Sequence, residues 1–135
     1  MSHHEYILGT RGSALALTQS RIAAETVTSL YAEHQAHHSA ADAEVVDFTL
    51  RTVKTEGDVL TGPLATLGGT GVFAAALRQR LLDGENASEE NRVDMAVHSL
   101  KDLPSAPCPG LVVAATLKRE DTRDTLVARD GLTVD

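Results

Sequence analysis

The stretch VHSLKDLP, residues 97–104, places a hydroxyl, a cation and a carboxylate directly after a short apolar run. These groups belong to Ser99, Lys101 and Asp102. A neighbouring cation favours the ionised form of a carboxylate, and an ionised carboxylate can stabilise a cationic intermediate or move protons. Open α/β sheets bind ligands at the carboxyl ends of their strands. The stretch therefore predicts either a binding site or a polar turn that ends in a surface ion pair.

Two glycine-bearing turns could hold an anion. In GTRGS, residues 9–13, Arg11 and Ser13 precede a predicted helix, whose N-terminus attracts carboxylates and phosphates. The alternative is that Ser13 only caps the helix and Arg11 only lies on the surface. GGTG, residues 68–71, permits close backbone approach to a ligand, but it lacks the Lys of a Walker A loop and does not fit GxGxxG. A tight turn is the favoured interpretation there.

The histidines and the cysteine give weaker signals. His34, His37 and His38 have the spacing of a metal-binding helix face, but no carboxylate or cysteine partner is evident nearby. We therefore expect a solvated loop and no metal site. His98 could be catalytic, but a single histidine at a strand end is more often structural. Cys108, between two prolines, is expected to be an ordinary loop thiol.

The order of elements predicts an α/β fold, a three-layer sandwich with a mainly parallel sheet. The predicted helices begin at Ala14 and span residues 72–82, and the first buries a face that includes Leu15, Ile22, Ala23 and Leu30. Phe73, Leu77 and Leu81 repeat every four residues along the second helix. Polar residues 34–44 predict a loop between the first helix and the second strand. Continuous apolar runs at 93–99 and 110–117 predict strands buried on both faces. The predicted strands are residues 5–10, 45–53, 93–99, 110–117 and 125–129.

Composition excludes several functional classes. The net charge is −7 over 135 residues, which disfavours binding to nucleic acid or an anionic membrane. No apolar run approaches the roughly 20 residues of a membrane span, and the first residues do not resemble a signal peptide. The single cysteine fits a cytoplasmic location. The last residues form a strand-like stretch and a turn, so we expect the chain to be cut or to continue in another polypeptide.

Five segments, taken together, resemble one family. In chain order they are LGTRGSALALTQS, TEGD, PLATLGGTGVFAAALRQRLL, DMAVHSLKDLP and KREDTRDTLVAR. They are similar to the N-terminal part of porphobilinogen deaminase, also called hydroxymethylbilane synthase. The resemblance covers most of residues 6–130, and the combination of TRGSALAL with AVHSLKDLP is its most specific element.

The resemblance implies a transferase of porphyrin and heme biosynthesis. Such enzymes condense four porphobilinogen units into hydroxymethylbilane, release ammonia, and prime the chain on a cysteine-linked dipyrromethane cofactor. The implied fold is one lobe of a type II periplasmic-binding-protein-like fold. Residues 1–117 would then be the N-terminal domain without its returning segment, and residues 118–135 would lead toward a second domain that this chain lacks.

The resemblance also implies roles for individual residues. Asp102 matches the catalytic aspartate, which binds pyrrole N–H groups and stabilises the cation left by deamination. Residues matching the substrate-binding positions are Arg11, Ser13, Gln19 and Phe73. Residues matching the cofactor-binding positions are Ser99, Lys101, Thr66, Thr70 and Asp58. Thr66 and Thr70 stand where many family members have lysine, so carboxylate binding from this side is expected to be weaker.

The cofactor cysteine of the family has no counterpart, because Cys108 lies in a different context. We therefore expect no covalent cofactor and no turnover by this chain alone. An unpaired sheet edge or an apolar patch is expected to cause self-association. Two other functions stay open: a non-enzymatic small-anion-binding lobe related to periplasmic binding proteins, and a structural α/β domain that binds nothing.

Overall fold

The structure is a computed structural model that describes residues 2–37, 44–54 and 74–122. Its regular elements are, in chain order, β1 (Ser2–Thr10), α1 (Ala14–Ala36), β2 (Glu44–Thr52), α2 (Ala75–Asp83), a 3₁₀ turn (Gly84–Asn86), β3 (Met95–Ala96) and a second 3₁₀ turn (Leu100–Asp102). The predicted α/β class is confirmed. In the described ranges, none of the helices has both the length and the apolar character needed to cross a membrane.

The strands form a three-stranded sheet in the order β2-β1-β3. Both pairings are parallel, as predicted: Ser2 lies opposite Glu44 at one end of β1 and β2, and Thr10 lies opposite Thr52 at the other. Leu8 lies opposite Met95 of β3. Because the strands are parallel, the residues that follow β1 and β3 emerge at the same end of the sheet, the end formed by the carboxyl ends of the strands.

The two helices lie on opposite faces of the sheet. The side chain of Thr10 meets Ser20 of α1, whereas the neighbouring position, Gly9, contacts Leu77 of α2. Successive residues of a strand point to opposite faces, so each helix covers a different one. The second half of the central strand is accordingly buried on both sides, with Ile7 and Leu8 both buried.

The core under α2 is small and close-packed. Val53, Leu77 and Val93 form its buried cluster, and Ala76, Leu81 and Ala96 pack against it. Leu77 and Leu81, which the four-residue repeat places on one side of the helix, both belong to this core. Gly9 lies so close to this cluster that a Cβ atom there would stand 2.7 Å from Leu77 Cδ2 and 2.7 Å from Val93 Cγ1.

Helix α1 begins where the sequence predicts and ends later. Ser13 is its N-cap, and its hydroxyl accepts a hydrogen bond from the Ala16 N–H at 3.3 Å. The predicted loop at residues 34–44 is wrong at its start, because the helix continues to Ala36. Hydrogen bonds explain the extension: Gln35 donates to the Tyr31 hydroxyl at 2.8 Å, and Tyr31 donates to Glu44 at 2.7 Å.

The predicted buried face of α1 is wrong. Leu15, Ile22 and Leu30 are 60%, 45% and 59% exposed, and they lie on the outer side of the helix. The inner side carries Ser20, which is fully buried, and Thr28, whose hydroxyl donates to Val46 O at 3.4 Å. These hydroxyls are hydrogen-bonded, so their burial is inexpensive.

Strand predictions in the second half of the chain are wrong in extent. The run predicted at 93–99 pairs only as Met95–Ala96, and Met95 is 39% exposed. The run at 110–117 is not a strand, and its Val112 and Val113 are 88% and 67% exposed rather than buried on both faces. Among the described strands none pairs with this run, and without a ladder strand propensity does not produce a strand. The predicted strand 125–129 and the glycine turn 68–71 lie outside the described residues.

We expect Gly9→Ala to destabilise the fold by roughly 1–3 kcal/mol, because the added methyl group overlaps two core side chains. Urea unfolding measures the loss. Gly12→Ala is the matched control, since a Cβ there meets only Thr52 Cγ2, at 3.3 Å. Equal stability of the Gly9 variant and the natural chain would contradict this packing.

Candidate functional site

A small cleft opens at the carboxyl ends of strands β1 and β3. It lies between the N-terminus of α1 and the second 3₁₀ turn, and its volume is about 60 Å³. The lining combines cations, a carboxylate, hydroxyls and an imidazole in a chain whose net charge is −7. Its lining residues are Arg11, Ser13, Leu15, Ala16, Gln19, Val97, His98, Ser99, Lys101 and Asp102.

The Arg11–Asp102 pair spans the cleft. Nη1 of Arg11 donates to Oδ2 of Asp102 at 3.5 Å, and the two side chains are only 18% and 17% exposed. Arg11 follows the last residue of β1, and Asp102 ends the turn that follows β3. The two residues are 91 positions apart in sequence, so the parallel sheet is what brings them together.

A second hydrogen bond between residues that are distant in sequence closes the wall beside this pair. The Ser99 hydroxyl donates to Oε1 of Gln19 at 3.1 Å and thereby links the turn after β3 to α1. Ser13 caps α1 at the same end, so the positive end of that helix faces the cleft. Lys101 is exposed on the rim. The described site residues that the sequence predicts are therefore all brought to one place.

His98 also lies in the cleft, although the sequence favours a structural role for it over a catalytic one. Partial burial lowers the pKa of His98 below its ordinary value of 6.5. The nearby Asp102 carboxylate raises the pKa, while Arg11 and Arg78 lower it further. His98 therefore favours the neutral imidazole, which can accept a proton.

Two further residues behind the cleft were missed at the sequence level. Thr10 and Ser20 are fully buried, and the Ser20 hydroxyl donates to Oγ1 of Thr10 at 2.7 Å. The sequence signal that could have identified this pair is Ser20. It lies one helical turn after Ala16, on a helix that packs against a sheet.

Four predicted site residues cannot be placed at this cleft. Asp58, Thr66, Thr70 and Phe73 lie outside the described residues. Cys108 is a free, partly buried thiol in a turn closed by the Leu111 N–H donating to Cys108 O, and it does not line the cleft. No group of three His, Cys, Asp or Glu within the described ranges could hold a metal ion.

A larger depression of about 250 Å³ lies at the end of α2 and has a structural explanation. Arg80 projects into it from α2, and its guanidinium donates to both the side-chain and main-chain oxygens of Asn91. These bonds hold the polar turn after α2 against the helix. The chemistry-bearing groups described above belong to the smaller cleft.

Comparison with known proteins gives one family. The family model described as "Porphobilinogen deaminase, dipyromethane cofactor binding domain" matches residues 6–135. The chain is 51% identical to a porphobilinogen deaminase of Micrococcus luteus over 94% of its length, and 49% identical to one of Leifsonia xyli subsp. xyli over 93%. It is 43% identical to a probable porphobilinogen deaminase of Methanococcoides burtonii over 96%.

The chain spans only part of these curated relatives: 28%, 32% and 35% of their respective lengths. No solved structure matches the chain.

We expect the stability of the chain to fall on acidification partly because of His98. Its pKa is lowered in the folded state, so below about pH 6.5 the unfolded chain binds the proton more readily and the free energy of unfolding decreases. Urea unfolding between about pH 8 and about pH 5 measures this slope. His98→Gln should flatten the slope. An unchanged slope in this variant would contradict the burial of His98.

Proposed function

This chain belongs to the porphobilinogen deaminase family, and we propose that it forms one wall of that enzyme's active site. The proposed reaction joins four porphobilinogen molecules into hydroxymethylbilane with release of ammonia. One observation carries the proposal: a largely enclosed Arg11–Asp102 pair, 3.5 Å apart, in a cleft at the ends of parallel strands.

Arg11 and Lys101 suit the carboxylates of the proposed substrate. Porphobilinogen carries an acetate and a propionate group, and a chain of net charge −7 can hold them only with a local group of cations. A guanidinium can bind a carboxylate through two hydrogen bonds. The Ser13-capped end of α1 adds backbone N–H groups with partial positive charge.

Asp102 supplies the opposite charge where a cation forms. When ammonia leaves porphobilinogen, the electron pair of the C–N bond departs with the nitrogen and the pyrrole is left positive. A carboxylate held beside it stabilises that charge and can accept the N–H hydrogen bond. Arg11 contacts this carboxylate at 3.5 Å and holds it at the cleft. The neutral imidazole of His98 stands in the same cleft as a group that can take up a proton.

The same residues suit the dipyrromethane cofactor named by the family model. Cations match its carboxylates, and Asp102 matches its pyrrole N–H groups, so Ser99 and Lys101 would hold it beside Asp102. The cofactor supplies the pyrrole end to which new units are added. Ligand pockets usually enclose about 300–1,000 Å³, so the cleft of about 60 Å³ can form only one wall around such a group. Cys108 is not proposed as its attachment point, because that thiol lies outside the cleft.

The remaining parts of the proposal follow from family membership. Phe73 would pack over a pyrrole ring, and Asp58, Thr66 and Thr70 would border the cofactor. The described α/β unit would be a three-layer lobe of the periplasmic-binding-protein type in a cytoplasmic enzyme, with the domain ending near residue 117. Residues 118–135 would lead toward a second domain.

A second candidate is a non-enzymatic lobe that binds small anions. Two cations and a capped helix N-terminus at one cleft favour it. Asp102 distinguishes the two functions, because a carboxylate at the centre of the cleft weakens the binding of an anion and strengthens the binding of a cation.

We expect the 135-residue chain to bind porphobilinogen without consuming it and to keep an unmodified intact mass. Asp102→Asn should weaken porphobilinogen binding about ten- to hundredfold, because a charged hydrogen bond of about 1.5–3 kcal/mol is lost. The same variant should bind succinate more tightly, since a repulsive charge is removed. Isothermal titration calorimetry measures both ligands.

Asp47→Asn is the matched control, because Asp47 is exposed on β2 and bound to His3 at 2.7 Å. Tighter binding of both ligands by Asp102→Asn would favour the anion-binding lobe instead. Consumption of porphobilinogen with a covalent pyrrole adduct would overturn the view that this chain supplies one wall only.

We also propose that the chain self-associates through residues 111–117. This run is apolar, rich in strand-forming residues and highly exposed, and the outer edge of β2 faces no other strand among the described elements. An open sheet edge is a template for pairing with a strand of a second copy, and an exposed run of strand-forming residues can supply that strand. We expect light scattering to show dimers or larger species at high concentration, and Val113→Asp to shift them toward monomers.

Leu30→Asp is the control for this experiment, since Leu30 is a similarly exposed apolar residue on a different element, α1. If Leu30→Asp dissociates the complex and Val113→Asp does not, the contact lies on α1. A monomer at every concentration rules out self-association.

A further inference from the structure

A buried pair of hydroxyls lies directly behind the cleft. Ser20 of α1 donates to Oγ1 of Thr10 at 2.7 Å, and Oγ1 of Thr10 in turn donates to the main-chain oxygen of Arg11 at 3.2 Å. Both side chains are fully buried. The three residues therefore form one hydrogen-bonded relay from the helix to the residue that contacts Asp102.

Packing alone does not account for this relay. A buried hydroxyl loses its contact with water, and replacing two hydrogen-bonded partners by apolar groups of the same shape is often neutral or even stabilising. Valine and alanine would fill the positions of Thr10 and Ser20 with almost the same volume. The two hydroxyls therefore indicate that a neighbouring group is held in place by a hydrogen bond, which apolar side chains could not provide.

The group that they fix is the main chain of Arg11. The ladder between β1 and β2 ends at the Thr10–Thr52 pair, and the last bond at this end joins Val53 N–H to Thr10 O at 2.8 Å. Arg11 is the first residue beyond the ladder. At that point the Thr10 hydroxyl donates a hydrogen bond to the Arg11 carbonyl and holds it in place.

We propose that the Thr10–Ser20 hydroxyl pair positions Arg11 so that its guanidinium reaches Asp102 and the substrate carboxylates. Thr10 and Ser20 are positioning residues: they act through the Arg11 main chain and do not line the cleft. The role in substrate binding rests on the function proposed above, whereas the positioning of Arg11 can be tested without any substrate.

His98 provides the substrate-free readout. Its pKa responds to three charged groups, because Arg11 and Arg78 lower it and Asp102 raises it. If Arg11 swings away from the cleft, the influence of Asp102 is less opposed and the pKa of His98 rises. NMR titration of the imidazole follows this change in the intact chain.

The test compares Thr10→Val, which removes the hydroxyl at constant shape, with Thr10→Ser, which keeps it. We expect Thr10→Val to raise the pKa of His98 and to weaken porphobilinogen binding about three- to tenfold, in line with one lost hydrogen bond. Thr10→Ser should restore both values toward those of the natural chain. Thr26→Val is the control, because the Thr26 hydroxyl donates to Ile22 O at 2.7 Å within α1 and has no link to Arg11.

A second variant keeps the test decisive if Thr10→Val does not fold. The double variant Thr10→Val/Ser20→Ala leaves neither hydroxyl unpaired and should fold, with the same raised pKa of His98. An unchanged His98 titration in a folded hydroxyl-free variant overturns the proposal. If the natural chain does not bind porphobilinogen, the proposed function fails, and the His98 titration still decides whether the pair positions Arg11.

Discussion

The parallel pairing of β1 with both of its neighbours is the constraint on which the rest of this structure depends. Nine residues of β1 pair with β2 in one continuous register, and Leu8 and Gly9 pair with Met95 and Ala96 of β3. Because the pairing is parallel, the carboxyl ends of β1 and β3 lie at the same end of the sheet. Arg11 and Asp102 meet there only because both strands end there.

The same pairing makes β1 a central strand and determines what its last residues can be. A Cβ at Gly9 would force Leu77 of α2 and Val93 to shift, because both press against it from one face. Thr10 points to the other face and is enclosed by α1. Two adjacent residues thus anchor β1 to both helices immediately before the chain enters the cleft. A residue placed after such an anchor has a defined starting position, as a preorganised binding site requires.

Several parts of the fold could be predicted from sequence because local physics decides them. Ser13 caps α1, since a serine hydroxyl can satisfy an N–H group of the first turn whatever surrounds it. Leu77 is buried, since the helical repeat of α2 has one apolar side. The predicted inner face of α1 was wrong for the opposite reason. The sheet accepts the side with Ser20 and Thr28, whose hydroxyls find partners on β1 and β2, and leaves Leu15, Ile22 and Leu30 outside.

The sequence by itself determined the residue types of the candidate site, the α/β class and the family. Those properties reside in short segments: a capped turn around Arg11 and a polar turn around Asp102 can each be recognised without the other. Only the tertiary structure decided that Arg11 reaches Asp102, that His98 is partly buried beside them, and that Thr10 and Ser20 share a hydrogen bond. Each of these depends on strand register or helix placement, which arises from contacts between distant parts of the chain. The tertiary structure also decided that residues 111–117 stay exposed. A strand forms only when another strand pairs with it, and the sequence of residues 111–117 cannot supply that second strand.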